Sequence, residues 1–138
     1  MRVFLDENMP RPLRGSLQPH EVSFVEREGW KGKSNGELVR LVAGAFDVLL
    51  TSDASFPYQN DLIGRGLSVI VLPTNDFDAL RLSAPAIRAT LDEIEHAMKG
   101  AALIVIRWNG RRTVRSLEDR EGEERELDPV PRLGRNLF

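Results

Sequence analysis

Phe46-Asp-Val-Leu-Leu-Thr-Ser-Asp53 runs three aliphatic side chains, Val48, Leu49 and Leu50, straight into three polar ones. An apolar run that does not alternate with polar residues fits a strand covered on both faces, as in a parallel sheet flanked by helices. Arg2-Val-Phe-Leu5 has the same character and stops the same way, at Asp6-Glu7-Asn8. Residues 67–72 and 101–108 complete a set of buried runs, and the alternating 20–25 suits an edge strand. Helical patterns lie between them. Residues 10–17 can open on Pro10, which is tolerated in a first turn. Residues 34–45 carry Leu38, Leu41, Val42 and Ala45 at helical spacing, and 58–65 form a short amphipathic segment. The longest helix starts at Ser83, lines one face with Ile87, Leu91, Ile94 and Met98, and stops at Gly100. Strands alternating with helices predict an α/β fold, three α/β/α layers around a mainly parallel, Rossmann-like sheet.

Beyond Trp108 the pattern changes. Asn109-Gly110 between two apolar runs is a strong hairpin signal. Residues 118–138 are mixed in charge and punctuated by Pro129, Pro131 and Gly134, which predicts a tail that is mobile or docks on a partner. The expected organisation is an α/β domain over 1–108, with a hairpin and tail over 109–138 that belong to it or dock a partner.

The chain has 138 residues, enough for one domain with a core, and its 29% of charged residues is ordinary for a soluble protein. A net charge of −2 draws the chain neither to nucleic acid nor to a membrane, so any such attraction must be local. The absence of cysteine excludes disulfides, thiol catalysis and cysteine-ligated zinc. No apolar run approaches the roughly 18–20 residues that span a bilayer. The acidic triplet begins at Asp6, which leaves no room for a signal peptide, so the expected location is cytoplasmic.

In doubly wound sheets, ligands bind beyond the carboxyl ends of the strands. If the strands before Asp6 and Asp53 are neighbours, the two carboxylates share a crevice and repel each other unless a cation sits between them. Mg²⁺ or Mn²⁺ suits such an oxygen-lined site and retains waters that can act as nucleophiles. The plainer reading is that each aspartate caps the structure that follows it. Glu37 is a third candidate acid, although Ser34-x-x-Glu37 is also a capping box. Glu7 is an alternate ligand, and Asn8, Asn35, Ser52, Gln59 and Asn60 are possible neutral donors. Arg11, Arg14, Lys31, Lys33 and Arg40 are expected near the same end, where bases would attract phosphate, or they are scattered surface charge. His20 and His96 lack metal-ligand spacing and read as structural, and Ser52 has no histidine placed to activate it.

The segments VFLDEN-x-P-x-x-L, HEV-x3-E-x2-GW-x-G-x-S-x-x-EL and FDVLLTSD resemble the PIN-like family of small bacterial proteins, over residues 1–72. That resemblance implies an α/β fold whose clustered acids bind Mg²⁺ or Mn²⁺ and cleave RNA, with Asp6, Glu37 and Asp53 as the acids. It also implies the toxin half of a toxin–antitoxin pair, a cognate antitoxin protein as partner, and frequent dimers. Relatives often carry an acid where Asn35 and Ser55 stand here. Those two losses favour a second reading, a scaffold with weakened catalysis that binds a protein or nucleic acid. A third, a response-regulator receiver domain, matches acids after strands one and three and Thr74 after strand four, but has Arg107 where a receiver needs lysine.

Overall fold

The four continuous apolar runs all become strands. The computed structural model describes residues 1–134 and forms an α/β fold around one mixed, seven-stranded sheet. In chain order the strands are β1 (Arg2–Leu5), β2 (Glu21–Phe24), β3 (Val48–Thr51), β4 (Ser68–Val71), β5 (Ala102–Ile106), β6 (Arg112–Ser116) and β7 (Arg125–Leu127). The helices are α1 (Leu13–Ser16), α2 (Val25–Glu28), α3 (Asn35–Ala45), α4 (Phe56–Gln59), α5 (Phe77–Leu82) and α6 (Ala84–His96). Their strand order is β2-β1-β3-β4-β5-β6-β7, parallel from β2 to β5 and antiparallel from β5 to β7.

Successive strand residues point to opposite faces, and the burial follows that alternation. Val3, Leu5, Val48, Leu50 and Ile70 enter one buried cluster, with Leu13 from α1, Leu80 from α5, and Ile87 and Leu91 from α6. Phe4, Leu49, Val69 and Val71 enter a second, with Val25 from α2, Val39 and Val42 from α3, and Phe56 from α4. Both faces of the central strands are therefore apolar, which is why their sequences do not alternate. Each fully buried leucine contributes about 1.5–3 kcal/mol relative to remaining in water.

The helix ends follow local chemistry. Ser34 caps α3, its hydroxyl accepting the Glu37 N–H at 3.3 Å, and Asp76 caps α5 by accepting the Ala79 N–H at 3.0 Å. Residues 58–65 differ from expectation: α4 covers Phe56–Gln59, and the chain beyond it turns through Gly64 and Gly66, both at positive φ. The Asn109-Gly110 hairpin forms as expected, with Gly110 at φ +88° and the Arg107 N–H donating to the Arg111 carbonyl at 2.9 Å.

The segment expected to be a mobile or partner-docked tail instead contributes β7, and Leu133 is 3% exposed within the first cluster. Arg112 explains much of this. Only 4% exposed, its guanidinium donates to Glu93 Oε1 at 2.7 Å, to Thr90 Oγ1 at 3.1 Å and to the Asp128 carbonyl at 2.6 and 2.9 Å. A buried cation this fully satisfied ties the end of β7 to α6. The last four positions of the expected tail, 135–138, lie outside the described residues.

Candidate functional site

The register pairs Leu5 with Leu50, so the next residues, Asp6 and Thr51, face each other across neighbouring strands. The Asp6 N–H continues the ladder to the Leu50 carbonyl at 2.9 Å. By alternation, Asp6 follows Phe4 and Thr51 follows Leu49, which puts both on the face of the second cluster.

Thr51, fully buried, is the hub. Its hydroxyl donates to Asp6 Oδ2 at 2.7 Å and accepts the Asp53 N–H at 3.0 Å and the Asn8 side-chain amide at 3.5 Å. Asp6 Oδ1 accepts the Glu7 N–H at 2.9 Å, and Asn8 Oδ1 accepts the Ser52 N–H at 3.4 Å. Asp53 Oδ1 accepts both the N–H of Ser55 at 2.9 Å and its hydroxyl at 2.6 Å. These two bonds from Ser55, the hydroxyl first, hold the Asp53 carboxyl below the usual carboxylate range. Asp6, Asn8, Ser52 and Asp53 thus belong to one hydrogen-bonded network. Sequence reading did not single out Thr51, although a β-branched hydroxyl directly before Ser52-Asp53 was its visible signal.

Part of the capping reading also holds. Asp53 closes a turn onto Ser55, and its carbonyl accepts the Phe56 N–H at 3.0 Å, but neither aspartate supplies a side-chain cap to a helix. The remaining candidates separate. Glu37 and Asn35 sit in the first turn of α3, and among the described residues no hydrogen bond joins either to the network. Glu7 gives the network its backbone N–H. Asn60 donates to the Phe56 carbonyl at 2.9 Å, and with Gln59 it lines a cleft beside Tyr58.

The bases divide as well. Arg11 is not free at a rim: it donates to the carbonyls of Asp6 and Glu7 at 3.3 Å and of Met9 at 2.9 Å, and pairs with Glu26 at 3.0 Å. It lies 5.0 Å over the Phe24 ring, so it fastens the loop carrying Asp6. Its hydrogen bond is also the main reason the Glu26 carboxyl is lowered. Arg14 donates to the Val22 carbonyl at 2.9 Å and so covers the open edge of β2. Lys31, Lys33 and Arg40 are exposed.

Asp6, Asp53 and Asn8 supply the hard oxygen donors that a Mg²⁺- or Mn²⁺-like cation takes, and among the described residues neither aspartate is in an ion pair. That donor set fits such an ion. It is small: no three of Asp6, Glu7, Glu37 and Asp53 bring ligand atoms within 4.8 Å of one another.

One described group does meet that spacing and can hold a metal ion: His20, Asp92 and Glu95. His20 is 6% exposed, its Nε2 lies 3.2 Å from Asp92 Oδ1, and its Nδ1 lies 3.4 Å from the Met1 amine. Both ring nitrogens are therefore already within hydrogen-bonding reach of a partner. The structural reading of His20 overlooked this group, whose sequence signal is the Asp92-x-x-Glu95 spacing on one face of α6.

No family model, curated protein or solved structure matches the chain. Among the described residues, no helix is long and apolar enough to cross a membrane.

Proposed function

We propose that the chain is a metal-dependent ribonuclease of PIN type, cytoplasmic, acting as the toxin of a toxin–antitoxin pair. The observation that carries this is the Asp6–Thr51–Asp53 network at the carboxyl ends of adjacent strands. The winding reverses between β1 and β3, because β2 lies on one side of β1 and β3 on the other. In open α/β sheets that reversal is where ligands bind. A three-layer, Rossmann-like arrangement is part of the same proposal, supported by the two apolar clusters that alternate residues of the central strands enter.

Bound between the carboxylates, Mg²⁺ or Mn²⁺ would lower the pKa of a coordinated water and offset the charge of a phosphodiester. The residues of the chain do the remaining work. Asp6 and Asp53 present carboxylate oxygens, and the bonds from Ser55 lower the pKa of Asp53. Thr51 fixes Asp6 Oδ2, Arg11 fixes the loop behind Asp6, and the side-chain Oδ1 of Asn8, which accepts the Ser52 N–H, is a neutral oxygen in the same network. The partners are then an RNA substrate and a cognate antitoxin, with self-association into a dimer.

The size of the acid set favours a second reading, a scaffold that binds RNA or protein with little catalysis, since no three of the candidate acids converge. One experiment decides between them. Single-stranded RNA incubated with Mn²⁺ should be cut by wild type, spared in EDTA, and spared by Asp6→Asn and Asp53→Asn. Equal cutting by wild type and both variants removes the proposal, and no cutting by any of them favours the scaffold.

A further inference from the structure

Beside the acids lies a surface that no part of the proposed reaction has used. Ala54, next to Asp53, lines a cleft with Tyr58, with Val71 and Val105 from the carboxyl-end regions of β4 and β5, and with Arg107, Arg115 and one acid, Glu124. A second cleft shares Tyr58, Leu103 and Arg115 and continues past Asn60 to Arg120. Together they form one groove across the β5–β6 face of the sheet.

That face is the one to which Asp6 and Thr51 belong. Val71 is in the second apolar cluster, and Leu103 and Val105 pack against it while remaining only partly buried. Across β5 and β6, Leu103 pairs with Arg115 and Val105 with Thr113, so an apolar floor carries a polar margin. Tyr58 is 84% exposed, the most exposed large apolar side chain described. An aromatic ring held out over a groove offers a flat surface to stack on, and its proline neighbour, Pro57, stiffens the backbone beneath it.

The charges select the occupant. Among the described residues Arg107 and Arg115 form no ion pair, while Arg120 is 3.8 Å from Asp61 and Arg111 pairs with Glu126. Two unpaired guanidinium groups against the single carboxylate of Glu124, in a cleft shared with an exposed aromatic ring and adjoining Asp53, match a chain that alternates flat bases with phosphates. Arg11 and Arg14, which sequence alone would place on such a path, are spent on backbone carbonyls.

Building on the proposed ribonuclease, we infer that this groove is the single-stranded RNA track. A base stacks on Tyr58, Arg107 and Arg115 contact the phosphates, and the strand leads past Ala54 to Asp6 and Asp53. The track takes unpaired RNA because stacking on a projecting ring needs a base free of its duplex.

The test separates binding from cleavage by working in EDTA with a fluorescein-labelled 12-nucleotide oligouridylate. Tyr58 is the only tyrosine, so protein grown with 3-fluorotyrosine reports this position by a single ¹⁹F resonance. That resonance should shift on adding the oligonucleotide. Tyr58→Ala should weaken binding roughly 5- to 150-fold, the range for loss of one stacked base. Arg115→Ser and Arg107→Ser should each lower the salt dependence by about one unit of slope or slightly less. Thermal melts check that these exposed substitutions leave the fold intact. An unmoved resonance, unchanged affinity in all three variants, or preference for duplex overturns the track. If binding through Tyr58 is seen but wild type with Mn²⁺ cuts nothing, the ribonuclease fails and the track stands. If wild type cuts RNA and the three variants bind and cut as well as it does, the track fails and the ribonuclease stands.

Discussion

Two groups of metal-capable side chains sit at opposite ends of the parallel strands, and they are satisfied differently. At the carboxyl ends, the Asp6 and Asp53 carboxylates are held by hydroxyl and backbone N–H donors and form no ion pair among the described residues, Arg11 reaching only the backbone carbonyl of Asp6. At the amino end, where His20 precedes β2, Asp92 and Glu95 lie against the imidazole and the Met1 amine, so positive or polar hydrogen donors already face both acids. The first group keeps negative charge that no ion pair offsets among the described residues. The second is largely answered from within the chain. Proximity of ligand atoms alone would rank them the other way, since only the second brings three within 4.8 Å.

The largest effect should come from catalysis. Asp53→Asn keeps the side-chain shape but removes the charge, and Mn²⁺-dependent RNA cleavage should fall to background, measured on a labelled strand. Retained cleavage would shift attention to the other group. His20→Gln should leave cleavage intact and lower stability instead. Losing one partner of a buried polar contact costs about 1–3 kcal/mol, to be read by urea denaturation. If His20→Gln abolishes cleavage while the fold survives, the contrast between the two ends is reversed.

Thr51→Val sharpens the comparison from within the first group. It removes the bond to Asp6 Oδ2 and the acceptor for the Asp53 N–H without changing shape, and should cost about 1–3 kcal/mol of stability. It should also weaken Mn²⁺ binding about 10- to 100-fold, as loss of a positioning partner behind a ligand does. The smallest effect is on pH dependence. Because Ser55 lowers the folded-state pKa of Asp53, its contribution is present above the ordinary aspartate pKa and is lost as pH falls through the lowered value. Ser55→Ala should move the Asp53 titration, followed by NMR, upward toward the ordinary range; an unmoved titration would assign the shift elsewhere.

How much of this was legible follows from what each element depends on. β1, β3 and β4 announce themselves because burial on both faces leaves continuous apolar runs, β5 shows an equally apolar run although Leu103 and Val105 are only partly buried, and Asp6 and Asp53 are conspicuous where the first and third strands stop. β7 was hidden, since Arg125-Glu126-Leu127 has one apolar side chain and is fixed by its pairing to β6 and by buried Arg112, an arginine that looks like surface in the sequence. The contacts of Arg11 and Arg14 were hidden for the same reason: their partners are carbonyls, which no side-chain pattern displays. Tyr58 and Arg115 line one cleft because of where the fold sets α4 against the β5–β6 face, a relation that sequence spacing does not display.

The central claim is that Asp6 and Asp53 hold one divalent ion jointly. Titration of Mn²⁺ followed by electron paramagnetic resonance, in wild type, Asp6→Asn, Asp53→Asn and His20→Gln, tests it most directly. One bound ion per chain should be present in wild type and His20→Gln, and strongly weakened in either aspartate variant. Undiminished binding in both aspartate variants, or loss confined to His20→Gln, would contradict it.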